Sequence, residues 1–572
     1  MINPKPLKRD YLPEDFKLSD WEALKPYYDE LLERDAKNES ALKKWMKDLS
    51  ELNSVLMEDV AWRYIAMTCD TSSKEKSDRY TQFVAEIQPK TAPYENKLDQ
   101  KLLASEQFQN LKGKSFEIMR KRIEKDVDIF NEENIPIISE LHTMQQEFGA
   151  ISGDMSVEID GKELTLQQAV TFLELQDRAK RENAYKTIQE RRFQDADKLN
   201  DLFSRLIEKR DLIAKNAHFD NYRDYTFKAM GRFDYTPEDC FQFHDSIEKA
   251  LVPLLNELAK DRKKALGVDK LRPWDSKVDV SGKPALKAFG SVDELVDKSI
   301  EAFSRLDPFL GDCLAHMKKI KHLDLDSRKG KTPGGYNYPL METGVPFVFM
   351  NATSTVRDLV TLMHEGGHAV HSILTKDLDL LNFKYLTPEI AELASMSMEL
   401  MSMDHWDLFF ENEDDLKRAK SNHLEDILGV LPWIAIIDKF QHWIYENPNH
   451  SEQERSAEWL SIFNRFSDNI TDWSGLEKFK ETLWQKQIHL FDYPFYYIEY
   501  AIAQLGAIAI WKNFKENPNK ALGQYTDALK LGYTKSIGEM YETAGVKFDF
   551  SEGYMNELIG FVRSELAEIK KD

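Results

Sequence analysis

The chain has 572 residues, 42% of them hydrophobic and 11% aromatic, so it is a folded protein too large for a single hydrophobic core. Acidic side chains outnumber basic ones, 99 to 77, and the net charge of -22 excludes sequence-independent binding to nucleic acid or anionic lipid. Cys69, Cys240 and Cys313 are few and far apart, which excludes a disulfide framework and fits a reducing, cytoplasmic setting.

The opening residues 1–16 contain no apolar signal core. Apolar residues at three-to-four spacing then predict helices over 21–34, 39–59, 74–92 and 104–124. The pattern changes at 155–166, where apolar and polar residues alternate around Asp160-Gly161, the signature of a β-hairpin. Helical spacing resumes over 167–192 and 196–217 and breaks over 266–286 at Gly267, Pro273, Gly282 and Pro284. Gly330, Pro333, Gly334 and Gly335 make 327–338 a flexible basic loop, and residues 345–351 form a short strand with Pro346 confined to its start or to an exposed edge. From Ser354 onward the spacing is helical almost throughout. The apolar runs 427–437 and 501–511 fall short of the roughly 20 residues a membrane span needs. The expected fold is mostly α with small β elements, in two parts: an N-terminal helical lobe over 1–195 with its hairpin near 155–166, and a second lobe over 196–572 that carries the chemistry.

That chemistry centres on His364-Glu365-Gly366-Gly367-His368. Ser354 or Thr355 caps a helix in which His364 and His368, four residues apart, project from one face one turn apart, as two zinc ligands must. Glu365 sits beside them, placed to take a proton from water at the metal. A catalytic zinc needs a third ligand. The longer motif HExxHxxGxxH fails, because His371 and Leu374 occupy its glycine and final histidine places. A carboxylate from a second helix is the other source. Thr387-Pro388-Glu389 reads as the start of such a helix, and Glu392, Ser395, Met396 and Glu399 form a stripe along it among apolar residues, where an uncompensated carboxylate is costly. Glu392 is assigned as third ligand, Glu399 as the residue that orients a ligand histidine, and His371 as a packing or supporting residue.

His364-Glu-Gly-Gly-His368-Ala-Val-His371 followed by Glu392-Leu-Ala-Ser-Met-Ser-Met-Glu399 resembles the thimet oligopeptidase and oligoendopeptidase F family of zinc metallopeptidases, more closely the oligoendopeptidase F (Pz-peptidase-like) branch. Leu271-Arg-Pro-Trp-Asp275, the 330–338 loop, the strand ending at Asn351 and the aromatic run 489–500 also look family-like, so the resemblance covers roughly 200–565 and the hairpin region. Gly366, where many relatives carry a bulkier residue, and Ala503, where the branch often has glycine, depart from the pattern.

The resemblance implies a zincin core with one Zn2+ on the floor of a deep channel between two helical lobes, and hydrolysis of internal bonds in short unstructured peptides. It also implies that His489, Tyr493 and Tyr500 match substrate-contacting positions, with Tyr500 the first and Tyr493 the second choice of oxyanion donor, and Tyr497 beside them. Phe347, Val348, Phe349, Met350 and Asn351 could pair with the peptide as an added strand, and the loop with Gly334 and Gly335 could close over it. The alternatives are a metallocarboxypeptidase or dipeptidyl carboxypeptidase on a related helical fold, and a non-catalytic zinc-stabilised peptide-binding protein, which would need neither Glu365 nor a tyrosine donor.

Overall fold

The computed structural model describes residues 8–332 and 334–571; Pro333 and the first seven residues of the opening stretch lie outside the described residues. The fold is mostly α. The helices α1 (Trp21–Glu33) and α2 (Glu39–Cys69) open the chain, α2 running well past the predicted end. The helix predicted over 74–92 divides into Lys74–Gln82, a wider π turn over Phe83–Ile87, and Gln88–Leu103. The hairpin forms as read: β1 (Ser156–Ile159) pairs antiparallel with β2 (Lys162–Thr165), Ile159 opposite Lys162. Its turn residues Asp160 and Gly161 have φ of 52° and 72°, the left-handed pair that a tight two-residue hairpin turn requires.

Further along come α3 (Pro237–Ala250), α4 (Val292–Leu306), β3 (Leu323–Asp326), β4 (Tyr336–Tyr338) and β5 (Phe347–Ala352). Then follow α5 (Val356–Thr375), α6 (Pro388–Ser402), α7 (Glu413–Glu446), which continues through Pro432, and α8 (Tyr497–Glu516). The strand expected over 345–351 starts just after Pro346. The loop expected over 327–338 ends in a strand, β4, too short for its periodicity to register. The sheet order is β3–β5–β4, with β5 parallel to β3 and antiparallel to β4.

Contacts gather the chain into two compact units, each from three stretches. The first joins Met1–Phe130, Lys287–Lys420 and Ile502–Phe548; the second joins Asn131–Leu286, Ser421–Ala501 and Asp549–Asp572. These units group residues by proximity, whereas a division at 195/196 follows chain order.

In the first unit α1 and α2 bury Trp21, Tyr28, Leu31, Leu42 and Trp45 in one core with Leu380 and Phe383. Further along α2, Ala61 and Ile65 pack on Leu340, Phe347 and Phe349, which fixes the sheet against the helix. Tyr336 stacks flat on Phe349 across the β4–β5 pair, ring centroids 4.8 Å apart. The chain turns from β5 into α5 at Ser354, whose φ is 74°. Thr355 then caps α5, and Asp358 returns the favour by accepting from the backbone N–H of Thr353 (2.7 Å) and Thr355 (2.9 Å).

In the second unit Tyr185, Trp274, Leu476 and Phe479 form one apolar cluster. Beside it the buried Asp275 carboxylate accepts from Arg178 (2.8 Å) and Arg181 (2.9 Å), so the Leu271–Asp275 motif is anchored by charge-assisted bonds. All three cysteines are free. Among the described residues no helix is long and apolar enough to cross a membrane.

Candidate metal centre

Helix α5 is held unusually close to its neighbours, and its two glycines are the reason. A Cβ on Gly367 would stand 2.6 Å from Ser395 Cα and 2.7 Å from the Ala394 carbonyl oxygen of α6. A Cβ on Gly366 would stand 2.7 Å from the Phe303 ring of α4, which accounts for glycine at this position. Hydrogen is the only side chain that fits either place. With α5 and α6 in backbone contact, a carboxylate on one reaches imidazoles on the other.

His364 and His368 leave the same face of α5 with their rings nearly perpendicular, centroids 4.8 Å apart. Glu392 Oε2 lies 3.3 Å from His364 Nε2 and 3.6 Å from His368 Nε2. Ligand atoms on a tetrahedral zinc with bonds of about 2.1 Å stand roughly 3.4 Å apart. The three donors are therefore spaced for a shared ion, and the residues present fit zinc.

Supporting contacts fix the ligands in the form a metal needs. His364 Nδ1–H donates to Glu399 Oε1 at 2.6 Å, which leaves the Nε2 lone pair free for a metal. The Ser395 hydroxyl donates to Glu392 Oε2 at 3.2 Å. His371, three residues past His368, is fully buried with both ring nitrogens lacking a hydrogen-bond partner, so it packs without bonding to a ligand.

Burial and the facing carboxylates set the charge at the centre. Burial disfavours a charge on His364, yet Glu392 and Glu399 outweigh it and hold its pKa well above the ordinary value. Burial pushes His368 down to about 4 and His371 down to about 3. Glu392 stays below the usual carboxylate range despite its burial, because His368 and His364 face it. The centre thus attracts one cation, a proton on His364 or a metal in its place. Glu365 is buried with Oε2 lacking any hydrogen-bond partner, and burial raises its pKa to about 7.

One expectation for the neighbouring sheet needs correction. The strand β5 is central, hydrogen-bonded to β3 on one side and β4 on the other, so it offers no free edge to a peptide. Phe347, Val348, Phe349 and Met350 are also buried, as a strand covered on both faces must be. The Asn351 amide is engaged too, donating to the carbonyls of Thr332 (2.8 Å) and Gly334 (2.9 Å), and so tying the Gly334–Gly335 loop down to β5. The outer edge of the sheet on this side belongs to β4. Its Asn337 amide donates to the Glu365 carbonyl at 3.2 Å, which links the edge strand to α5.

The remaining predicted residues lie on the aromatic segment of the second unit. His489 packs against Tyr497 (centroids 4.6 Å apart) and Tyr500 (5.8 Å), whereas Tyr493 is 62% exposed. Trp433 Nε1–H donates to Gln487 Oε1 at 2.9 Å, which turns the Gln487 amide nitrogen toward His489 Nδ1 at 2.7 Å. Indole is a donor only, so the relay fixes every direction: His489 Nδ1 accepts, and a neutral His489 carries its proton on Nε2. The segment is anchored by residues that sequence reasoning passed over. Buried Arg232 pairs with Glu499 at 2.9 Å and donates to the Phe495 carbonyl, Gln441 accepts from Phe495 N–H at 2.6 Å, and Arg210 donates to the carbonyls of Leu490 and Phe491. Phe495, at a φ of 67°, makes the bend. A buried arginine, in a helix like Arg210 or in a loop like Arg232, carries no local signal that would have singled it out.

Residues 171–559 match the family described as Peptidase family M3, and residues 13–130 match its Peptidase M3 N-terminal domain. The chain belongs to peptidase family M3. The M3 proteins are metallopeptidases, and the relatives place this chain with the oligoendopeptidase F branch. Oligopeptidase PepF of Bacillus subtilis is 23% identical over 389 residues, covering 67% of this chain and 56% of that protein. An oligoendopeptidase F homolog of Borreliella burgdorferi is 24% identical over 76% of this chain and 71% of its own length. Among solved structures, one described as Pz peptidase A with an inhibitor superposes with a TM-score of 0.90 at 26% identity, covering 97% of this chain and 99% of that one. The M3 family's helical fold is thus present, with the few small strands described above.

Proposed function

We propose that this M3 protein is a zinc-dependent endopeptidase that hydrolyses internal bonds of short, unstructured oligopeptides. The observation that carries the reading is the His364–His368–Glu392 donor set, spaced for one ion and backed by Glu399, with the unpaired Glu365 carboxylate beside it. His364, His368 and Glu392 would hold the ion. When bound, zinc supplies the Lewis acidity that makes water nucleophilic at neutral pH and polarises a peptide carbonyl. Glu365 takes the proton of the attacking water and passes it to the leaving amine; its burial and raised pKa suit a group that alternates between the two forms. Tyr500, with Tyr493 second, donates a hydrogen bond to the carbonyl oxygen as that atom gains charge, and His489 Nε2–H adds a further donor. These three roles rest on the family resemblance and on the donor form of His489 that the Trp433–Gln487 relay enforces.

The substrate backbone pairs with the outer edge of β4, Tyr336–Tyr338, because β5 is occupied on both sides. Main-chain pairing gives affinity with little side-chain selectivity, which suits a peptidase acting on many peptides. The test is a peptide acetylated at its N-terminus and amidated at its C-terminus. Internal cleavage by the zinc-loaded protein supports endopeptidase action, whereas cleavage only of the free-acid peptide would make it a carboxypeptidase.

A further inference from the structure

Among the described residues, metal-ligating side chains converge at a second place, inside the second unit. Helix α3 carries Cys240 and His244, and α7 carries Asp438 and His442; in each pair the four-residue spacing puts both side chains on one face, one turn apart. One donor atom each from Cys240, Asp438 and His442 lies within 4.8 Å of the other two. His244 Nε2–H donates to Asp438 Oδ2 at 2.8 Å, and His442 Nε2 stands 3.3 Å from the same oxygen.

Burial sharpens the point. Cys240, His244, Asp438 and His442 are each at most 1% exposed. The rings of Phe241, Phe495 and Phe227 pack around His442, with centroids 4.8, 5.2 and 5.9 Å from it. Neither ring nitrogen of His442 has a hydrogen-bond partner, although any tautomer presents at least one donor. The Asp438 carboxylate receives His244 and, at 3.4 Å, the Gln441 amide, and among the described residues no lysine or arginine pairs with it. The Arg232 guanidinium pairs with Glu499 and the Phe495 carbonyl through Nη2 and lies over the Phe227 and Tyr235 rings. Asp438 is thus faced by two imidazoles and an amide, and His442 Nε2 stands 3.3 Å from its carboxylate without the alignment of a hydrogen bond, so one ion between carboxylate and imidazole would satisfy both groups.

We propose that Cys240, Asp438 and His442 form a second metal centre, for Zn2+, which cross-links α3 to α7. The thiolate, imidazole and carboxylate set favours zinc over magnesium or calcium, which take oxygen ligands. His244 orients Asp438 as Glu399 orients His364. Burial keeps the Cys240 thiol protonated in the metal-free chain, so uptake of the ion releases its proton.

The test uses the full chain with the first centre disabled, as His364→Ala/His368→Ala, produced in minimal medium supplemented with cobalt so that the buried site fills during folding. The expected result is about one cobalt retained per chain after desalting, with a near-ultraviolet thiolate-to-Co(II) charge-transfer band that Cys240→Ser removes. The first centre has no sulfur ligand and cannot give that band. A natively folded His364→Ala/His368→Ala protein with no retained cobalt and no band would overturn the proposal. Neither readout depends on peptidase activity, so this outcome is separate from the fate of the catalytic reading.

Discussion

Glu365 and Glu399 are both carboxylates beside the same histidines, yet they should fail in opposite ways. Glu399 bonds to His364, a proposed zinc ligand, so Glu399→Gln should weaken zinc binding about 10- to 100-fold in a chelator competition. Glu365 is proposed as the base and lies outside the donor set, so Glu365→Gln should retain zinc and lose about 100- to 10,000-fold in kcat. Equal zinc loss in the two variants would contradict the division of roles. Gln487 has a smaller part. Gln487→Leu removes the donor that holds His489 in its Nε2–H form, and kcat/KM should fall about fivefold, the worth of one hydrogen bond of ~1 kcal/mol. At this scale the sequence was readable where spacing imposes geometry. His364 and His368 share a helix face because they are four residues apart, and Glu392 reaches them because a turn and a returning helix fit between. The Trp433–Gln487–His489 relay was not readable, since a loop residue meeting a distant helix leaves no periodic trace.

At the level of elements, the α5–α6 contact is what makes the donor set possible. Gly367→Ala drives a methyl group into the Ser395 and Ala394 backbone, which cannot rotate away, and should cost about 1–3 kcal/mol of stability. It should also weaken zinc binding, because parting the helices draws Glu392 from the histidines. Gly366→Ala meets the Phe303 ring of α4 instead, so it should lower Tm while leaving zinc affinity close to wild type. Calorimetry paired with the chelator assay separates the two; zinc loss in Gly366→Ala as large as in Gly367→Ala would sink the explanation. The helices and the hairpin were legible because long amphipathic periods and an Asp-Gly turn are strong local signals. The three-stranded sheet was only partly legible: β3 and β4 are too short to show alternation, and nothing in residues 347–351 reveals that both edges of β5 are taken.

Across the whole molecule, the two units interleave in sequence, and periodicity cannot show this: it marks which face of a helix is buried, never against what. The acidic excess has a local consequence in the first unit. Burial, together with Asp126 and Glu95, raises Asp99 to about 7. A carboxyl group whose folded pKa lies above its unfolded value stabilises the fold while protonated, and that contribution fades as pH rises from about 4 toward 7. Asp99→Asn should therefore raise Tm at pH 8 and leave it little changed at pH 4; no Tm gain at pH 8 would contradict the sign.

The central claim is that the His364–His368–Glu392 ion and Glu365 together cleave internal peptide bonds. It is tested most directly by mass spectrometry of products from a peptide blocked at both ends, using protein stripped of metal and then titrated with zinc. Internal fragments should vanish on stripping, return in proportion to added zinc, and stay absent for Glu365→Gln at full zinc occupancy. Undiminished cleavage by the stripped protein, or by Glu365→Gln, would contradict the account.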